Sequence, residues 1–199
     1  MARPIILASG SEIRQTLLHN AAVPFGVSVA RLDEDAIKRA MLEDGAPPRD
    51  IADTLAEGKA MKVSRKQPDA LVIGCDQVLD FGGELLSKPR DVDESRDQLQ
   101  ALRGRRHSLL SAAVLCHQGR PVWRHVGQVR LTMNDFSDAY LEAYLERNWN
   151  SIRYSVGGYK LEEEGVRLFS RIDGDYFNVL GLPLLEILAY LGASGDLDT

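Results

Sequence analysis

The sequence predicts an α/β protein built on a mixed sheet, and three observations carry that expectation. Short apolar runs such as Pro4–Ala8 and Ala70–Ile73 have the length and side-chain content of strands, the second buried on both faces. Longer segments with helical spacing, such as Arg49–Arg65, lie between them. Gly-containing turns at Gly82-Gly83, Gln118-Gly119-Arg120 and Asp173-Gly174 close hairpins, so antiparallel pairs must accompany any parallel ones.

The elements follow in order. The Pro4–Ala8 strand leads to a helix over Glu12–Asn20, with Ser11 at its N-cap. Pro24–Arg31 alternates as a second strand. Asp33, Glu34 and Asp35 open a helix ending near Gly45, because acids are favourable at the positive end of a helix. Pro47 and Pro48 break the chain before the long Arg49–Arg65 helix. After Ala70–Ile73 comes the hairpin at Gly82-Gly83, then a helix over Asp91–Leu102 stopped at Gly104. Ser108–Cys116 and Pro121–Thr132 form an antiparallel pair, and Ser137–Arg147 an amphipathic helix capped by Ser137. Beyond Gly157-Gly158, Val166–Ile172 and Tyr176–Leu180 are expected to pair through Asp173-Gly174. Leu184–Leu191 closes the chain as a helix with Gly192 at its end.

Composition narrows the function classes. The 199 residues are 44% hydrophobic and 27% charged, the profile of an ordinary globular protein able to bury a full core. A net charge of −5 argues against a broad basic face for duplex nucleic acid, while leaving room for a local basic cleft that takes phosphates. No apolar stretch reaches the roughly 18 residues of a membrane span, and the apolar run after MARP is too short for a signal peptide. Cys75 and Cys116 show no CxxC and no Cys/His cluster, which suits reduced thiols and a cytoplasmic protein.

One stretch poses the chemical question. The buried strand Ala70-Leu71-Val72-Ile73 runs through Gly74 and Cys75 straight into a carboxylate, Asp76. A buried acid is unfavourable without a partner or a task. Lys59 is one partner of the right kind: Ile51, Leu55, Lys59 and Val63 are spaced by four on one helical stripe, so the lysine points where three apolar residues point. Lys62 and Lys66 fall toward solvent. Lys88 is another: with a two-residue loop Phe81 faces Glu84 and Lys88 falls opposite Gln77, and with a bulge at Gly83 it falls opposite Asp76. A snorkelling lysine and a structural ion pair fit these patterns as well as a phosphate-facing cleft does.

Two other segments carry candidate chemistry. In LASGSEIRQTLL, residues 7–18, a strand, a small-residue turn (Ser9, Gly10, Ser11) and a helix aim backbone N–H groups at one point, with Arg14 close by. That is an anion site or an ordinary capped turn. Asp33 and Glu34 are cap chemistry unless another acid converges with them, in which case they suit a hard cation. His19, His107, His117 and His125 have neither metal nor triad spacing, and Trp123 and Trp149 read as packing residues.

Taken together these motifs resemble the Maf family of nucleoside triphosphate pyrophosphatases over about residues 4–192. LASGSEIRQTLL is similar to the family's LASxSPRRxxLL, LDED to its VDE, LAEGKA to its helix lysine motif, VIGCDQVLDFGGELLSKP to IGADTVV…GxILxKP, and IDGDYFNVLGLPL to its C-terminal signature. The resemblance implies one domain over residues 1–199, with two lobes sharing an elongated mixed sheet around a cleft, as in inosine triphosphatases. It implies Mg²⁺ or Mn²⁺, a nucleoside triphosphate substrate and a homodimer. Asp76 matches the aspartate assigned as general base, and Arg14, Lys59 and Lys88 match the residues that grip the triphosphate. Ser9 and Ser11 match the hydroxyl turn, and Glu34 is a second metal-ligand candidate beside Asp76. Gln77, where Thr is usual, and Glu162 resemble the branch that prefers 7-methylguanosine triphosphate to dTTP or UTP. That branch carries Trp where this chain has Ile13, and RNWNSIRYSVGG departs from the family's GEPxDKAGAY.

Two readings of other classes compete. A nucleotide-binding regulator of cell division without turnover would need the phosphate grip but not Asp76. A single-stranded RNA binder would need basic and aromatic residues interleaved along strands, against 7% aromatics and an acidic total.

Overall fold

The computed structural model describes residues 2–198. Among the described residues seven strands, β1 (Ile5–Leu7), β2 (Phe25–Val27), β3 (Leu71–Phe81), β4 (Glu84–Leu86), β5 (Arg106–His117), β6 (Arg120–Met133) and β7 (Phe169–Asp173), hydrogen-bond in the order β2-β1-β3-β5-β6-β7, with β4 paired to β3. The chain divides into two compact units, one comprising residues up to Gln77, Leu110–Gly127 and Asp175 onward, the other Val78–Leu109 and Gln128–Gly174.

In the first unit β1 (Ile5–Leu7) lies between β2 (Phe25–Val27) and the start of β3 (Leu71–Phe81), parallel to both, with Ile5 opposite Phe25 and Leu71. Parallel neighbours need helical crossovers. These are α1 (Glu12–Asn20) after β1, and α2 (Glu34–Glu43) and α3 (Pro48–Ser64) between β2 and β3. Pro48 suits the first turn of α3, where its missing N–H has no helical partner to lose.

Side-chain alternation along β3 sorts its residues onto two faces. Leu71, Ile73 and Cys75 join Leu17 and Leu18 of α1 and Ile187 and Leu191 of α7 (Leu184–Ala193) in one apolar cluster. The other face takes α3 at close range: a Cβ on Gly74 would lie 2.2 Å from the Ala56 carbonyl oxygen and 2.6 Å from the Ala60 nitrogen. Only glycine lets helix and strand approach this closely. The expected stripe on α3 is buried as spacing dictates, with Lys59 inside and Lys62 and Lys66 exposed.

The second unit begins with the end of β3. Phe81 stands opposite Glu84 and Leu79 opposite Leu86 of β4 (Glu84–Leu86), the register of a two-residue loop. Gly82 and Gly83 both have positive φ, +66° and +96°, as the primed hairpin turns require. Asp91 caps α4 (Val92–Leu102) and Ser137 caps α5 (Asp138–Ile152), each accepting from the backbone N–H three residues on. β5 (Arg106–His117) and β6 (Arg120–Met133) start and end in different units, and β7 (Phe169–Asp173) pairs antiparallel with β6. His107 is buried here, with its Nε2 2.8 Å from the Tyr159 hydroxyl.

Three expectations are corrected. Val166–Ile172 and Tyr176–Leu180 do not form a hairpin, because β7 takes β6 as its partner and Tyr176–Val179 is a single helical turn, α6. The Asp175 carboxylate accepts from the Asn178 backbone N–H at 3.0 Å and from Asn178 Nδ2 at 2.9 Å, and this cap overrides the β preference of Tyr-Phe-Asn-Val. β2 stops at Val27, short of Arg31. Ser11 occupies the N-cap position of α1 but makes no side-chain cap bond; instead its backbone N–H donates to the Ser9 hydroxyl at 3.2 Å.

Candidate active site

The close packing at Gly74 has a direct consequence two residues later. Asp76 leaves β3 on the face that α3 covers, and Lys59 comes down from the helix turn that touches Gly74. Lys59 Nζ donates to Asp76 Oδ1 at 2.6 Å. The same ammonium lies 3.0 Å from Oε1 of Glu34, in the first turn of α2. Asp33 is not part of this set, since its carboxylate caps α2 by accepting from the Ala36 N–H at 3.0 Å.

The cluster is buried where it matters. Asp76 is 5% exposed and Lys59 9%, while Glu34 is half-buried. Two carboxylates share one ammonium, which leaves a formal charge of −1 on the set. Asp76 Oδ2 is buried without a hydrogen-bond partner among the described residues. An uncompensated buried carboxylate oxygen is costly, so this atom is open to a further donor or a cation. Burial raises the pKa of the neighbouring Cys75 thiol, which keeps it protonated and makes it a poor nucleophile.

At the end of β1 the Ser9–Ser11 turn opens α1, whose N-terminal amides have no side-chain cap. Arg14 reaches back over this turn. Its Nε donates to the Gly181 carbonyl at 2.7 Å, and its Nη1 to the Cys75 carbonyl at 3.2 Å and the Ser9 hydroxyl at 3.3 Å. The bond to Cys75 ties the guanidinium to the residue before Asp76. Uncapped helix amides beside a fixed guanidinium form an anion-binding arrangement.

Gln77 is not brought to this set. It follows Asp76 on β3 and points to the opposite face, where its Nε2 donates to Ser111 Oγ at 2.9 Å, the Asn178 carbonyl at 2.9 Å and the Val179 carbonyl at 3.0 Å. Ile13 packs against the apolar cluster of α1 and α7. Lys88 and Glu162 belong to the second unit; both are exposed, Lys88 just past the end of β4 and Glu162 after the 3₁₀ turn at Val156–Gly158. Reading the sequence passed over Gly74, Gly181 and Ser111. The first had a signal, a glycine inside a buried strand. The others act through a backbone carbonyl or a cross-strand hydroxyl, which no local pattern announces.

A family model described as Maf-like protein matches residues 4–194. The chain belongs to the Maf-like protein family. Its relatives share nearly their whole length with it. A protein of Roseobacter denitrificans named nucleoside triphosphate pyrophosphatase is 66% identical over 99% of both chains. A protein of Caulobacter vibrioides with the same name is 50% identical over 98% of this chain and 97% of its own. A protein of Brucella abortus named 7-methyl-GTP pyrophosphatase is 45% identical over 96% of each.

The Maf-like cluster also has the donor chemistry of a hard-cation site. Among the described residues no three His, Cys, Asp or Glu side chains converge, but Asp76 and Glu34 do, with one buried oxygen unpartnered. Mg²⁺ is commonly held by one or two carboxylates together with substrate phosphates, not by a full protein cage. The pair fits that mode.

Proposed function

We propose that this protein is a nucleoside triphosphate pyrophosphatase that cleaves the bond between the α- and β-phosphates, releasing a nucleoside monophosphate and pyrophosphate. The observation that carries the reading is Asp76: a buried carboxylate with one oxygen held by Lys59 at 2.6 Å and the other without a partner among the described residues. The unpartnered Oδ2 accepts a proton from water as that water's oxygen bonds to the α-phosphorus. The bond from the α-phosphorus to the bridging oxygen breaks, and its electron pair leaves with pyrophosphate. Lys59 orients the carboxylate by holding Oδ1, and Glu34 steadies Lys59 from the other side. Arg14 and the amides above Ser9 bind phosphate oxygens; the part of Lys88 in gripping the triphosphate rests on the family resemblance alone. A divalent cation, Mg²⁺ or Mn²⁺, would be held by Asp76 and Glu34, and when bound it neutralises charge along the triphosphate.

The base preference follows the branch resemblance. We read it as a guanine-type base, 7-methylated in the favoured substrate, supported by Gln77, by the exposed carboxylate of Glu162, and by the name of the Brucella abortus relative. A carboxylate accepts from the N1–H and N2–H₂ edge of guanine and favours the positive charge that 7-methylation adds. Homodimeric assembly rests on the family resemblance. A cytoplasmic site of action rests on two free, buried cysteines.

The test is a panel of GTP, 7-methyl-GTP, dTTP and UTP with Mg²⁺ in H₂¹⁸O, with pyrophosphate and orthophosphate both measured. The reading expects pyrophosphate alone, ¹⁸O in the monophosphate, and the guanine-type nucleotides turned over fastest. Label in pyrophosphate would place the attack on the β-phosphorus. Faster turnover of dTTP and UTP would remove the base assignment, and binding without release would make the protein a nucleotide-binding regulator.

A further inference from the structure

The C-terminal signature IDGDYFNVLGLPL supplies none of the groups used above, yet its middle part touches two of the candidate residues. α6 is one turn long, and its Tyr176, Phe177 and Asn178 carbonyls accept from the backbone N–H groups of Leu180, Leu182 and Gly181. Side chains from elsewhere in the first unit also donate to the carbonyls at and just past its C-terminal end. The Asn178 carbonyl accepts from Ser111 Oγ at 2.6 Å and from Gln77 Nε2 at 2.9 Å, the Val179 carbonyl from Gln77 Nε2 at 3.0 Å, and the Gly181 carbonyl from Arg14 Nε at 2.7 Å.

This arrangement fixes what each side chain can offer. A flipped Gln77 amide would set its own oxygen against two carbonyl oxygens, so Nε2 stays on the α6 side and only an acceptor, Oε1, remains for a further partner. On Arg14 the Nε–H and the Nη1 group are engaged by Gly181, Cys75 and Ser9. All three acceptors are neutral oxygens, so none cancels the charge, and the Nη2 edge is left for an anion. Gly181 makes this approach possible. Its φ is +88°, and a Cβ there would stand 3.1 Å from Arg14 Nη2 and 3.3 Å from Nε. At the other end of α6 the Asp175 cap holds Asn178 in place. The Asn178 amide presses so close to Gly127 that a Cβ on Gly127 would lie 2.0 Å from its Oδ1.

We propose that the Asp175–Gly181 segment is a positioning element for substrate recognition: the carbonyl end of α6 holds Arg14 with its Nη2 edge toward the triphosphate and fixes Gln77 so that only its acceptor remains for a further partner. Gly181 is the positioning residue for Arg14 and Ser111 the one for Gln77. The proposal rests on the pyrophosphatase reading for the ligand's identity but not for its test.

The experiment titrates tripolyphosphate into wild type, Gly181→Ala, Arg14→Ala and the double variant, with Mg²⁺, by calorimetry. Gly181→Ala is expected to raise Kd about tenfold, the loss of one charge-assisted hydrogen bond. In the Arg14→Ala background the same substitution is expected to change Kd less than twofold, because its effect passes through the guanidinium. Equal effects in both backgrounds overturn the proposal, as does an unchanged Kd in Gly181→Ala. Since alanine strains the backbone at this φ, a second measurement avoids it. In ¹⁵N-labelled full-length wild type, the Arg14 Nε–H signal (identified by its absence in Arg14→Lys) and the Gln77 side-chain NH₂ signals are expected to exchange slowly with solvent. Ser111→Ala is expected to speed Gln77 exchange several-fold. Fast exchange of these groups in wild type overturns the proposal. Tripolyphosphate bound as expected by a protein that releases no pyrophosphate from any nucleotide would instead overturn the proposed function alone.

Discussion

Replacing Gly74 by alanine adds one methyl group and perturbs the candidate active site through packing alone. The new Cβ would meet the Ala56 carbonyl oxygen at 2.2 Å and the Ala60 nitrogen at 2.6 Å, where ordinary contact begins near 3.4 Å. Both contacts are backbone atoms of α3, so no side-chain rotation relieves them; helix and strand must separate by about 1 Å. Lys59 lies on the same helical turn and Asp76 two residues along the same strand, so the separation falls on their 2.6 Å contact. Overpacking of this kind costs roughly 1–3 kcal/mol of stability, and a misplacement of about 1 Å costs on the order of 10² in rate. Two assays follow the two effects: the urea midpoint for stability, and pyrophosphate release at saturating nucleotide for the site. Gly26→Ala on the edge strand β2 is the control, since a Cβ there meets nothing within 4 Å. It is expected to leave both readouts close to wild type. A Gly74→Ala protein with wild-type midpoint and wild-type kcat would refute the argument that this glycine sets the Lys59–Asp76 geometry.

Lys59→Met leaves Asp76 and Glu34 facing each other without their cation. With Asp76 buried, the expected loss is roughly 3–5 kcal/mol, much of it recovered in Lys59→Met/Asp76→Asn; urea midpoints of the three proteins check this, and equal losses in single and double variants contradict it. Burial lowers the His107 pKa from 6.5 to about 4. The unfolded chain therefore binds the extra proton first, and stability falls as pH drops from about 6.5 toward 4, by up to about 1.4 kcal/mol per unit. His107→Phe is expected to flatten that slope in urea midpoints measured across the range. The Asp196 carboxyl is held well below the usual range, chiefly by its hydrogen bond with the Arg3 side chain. A depressed carboxylate pKa contributes stability above the unfolded value of 3.8 and loses it on acidification below that point. Melting curves of wild type and Asp196→Asn are expected to differ at neutral pH, to draw together progressively as pH falls below 3.8, and to converge only below the depressed folded-state pKa.

The parts of this fold that were legible in the sequence are those governed by local spacing. The stripe Ile51, Leu55, Lys59 and Val63 placed a lysine among apolar residues, and the structure buries all four. Gly82-Gly83 fixed the β3–β4 register to the two-residue alternative. Tyr176–Val179 was misread because Tyr, Phe and Val favour strands, while one capping carboxylate at Asp175 decided for a helical turn. The convergence of Glu34 on Lys59 depended on how α2 packs beside α3, which no periodicity in either helix specifies. The engagement of Gln77 and Arg14 by carbonyls of Asn178, Val179 and Gly181 was illegible for a further reason: a backbone carbonyl carries no residue identity.

The central claim is that Asp76 activates the water that attacks the triphosphate. The most direct measurement is pyrophosphate release by wild type and Asp76→Asn, with Mg²⁺ and the nucleotide that wild type turns over fastest, after circular dichroism has shown both to be folded. The account predicts a loss of roughly 10²–10⁴ in kcat for the variant, the contribution of a general base. Equal release by the two proteins would contradict it and place the base on another residue.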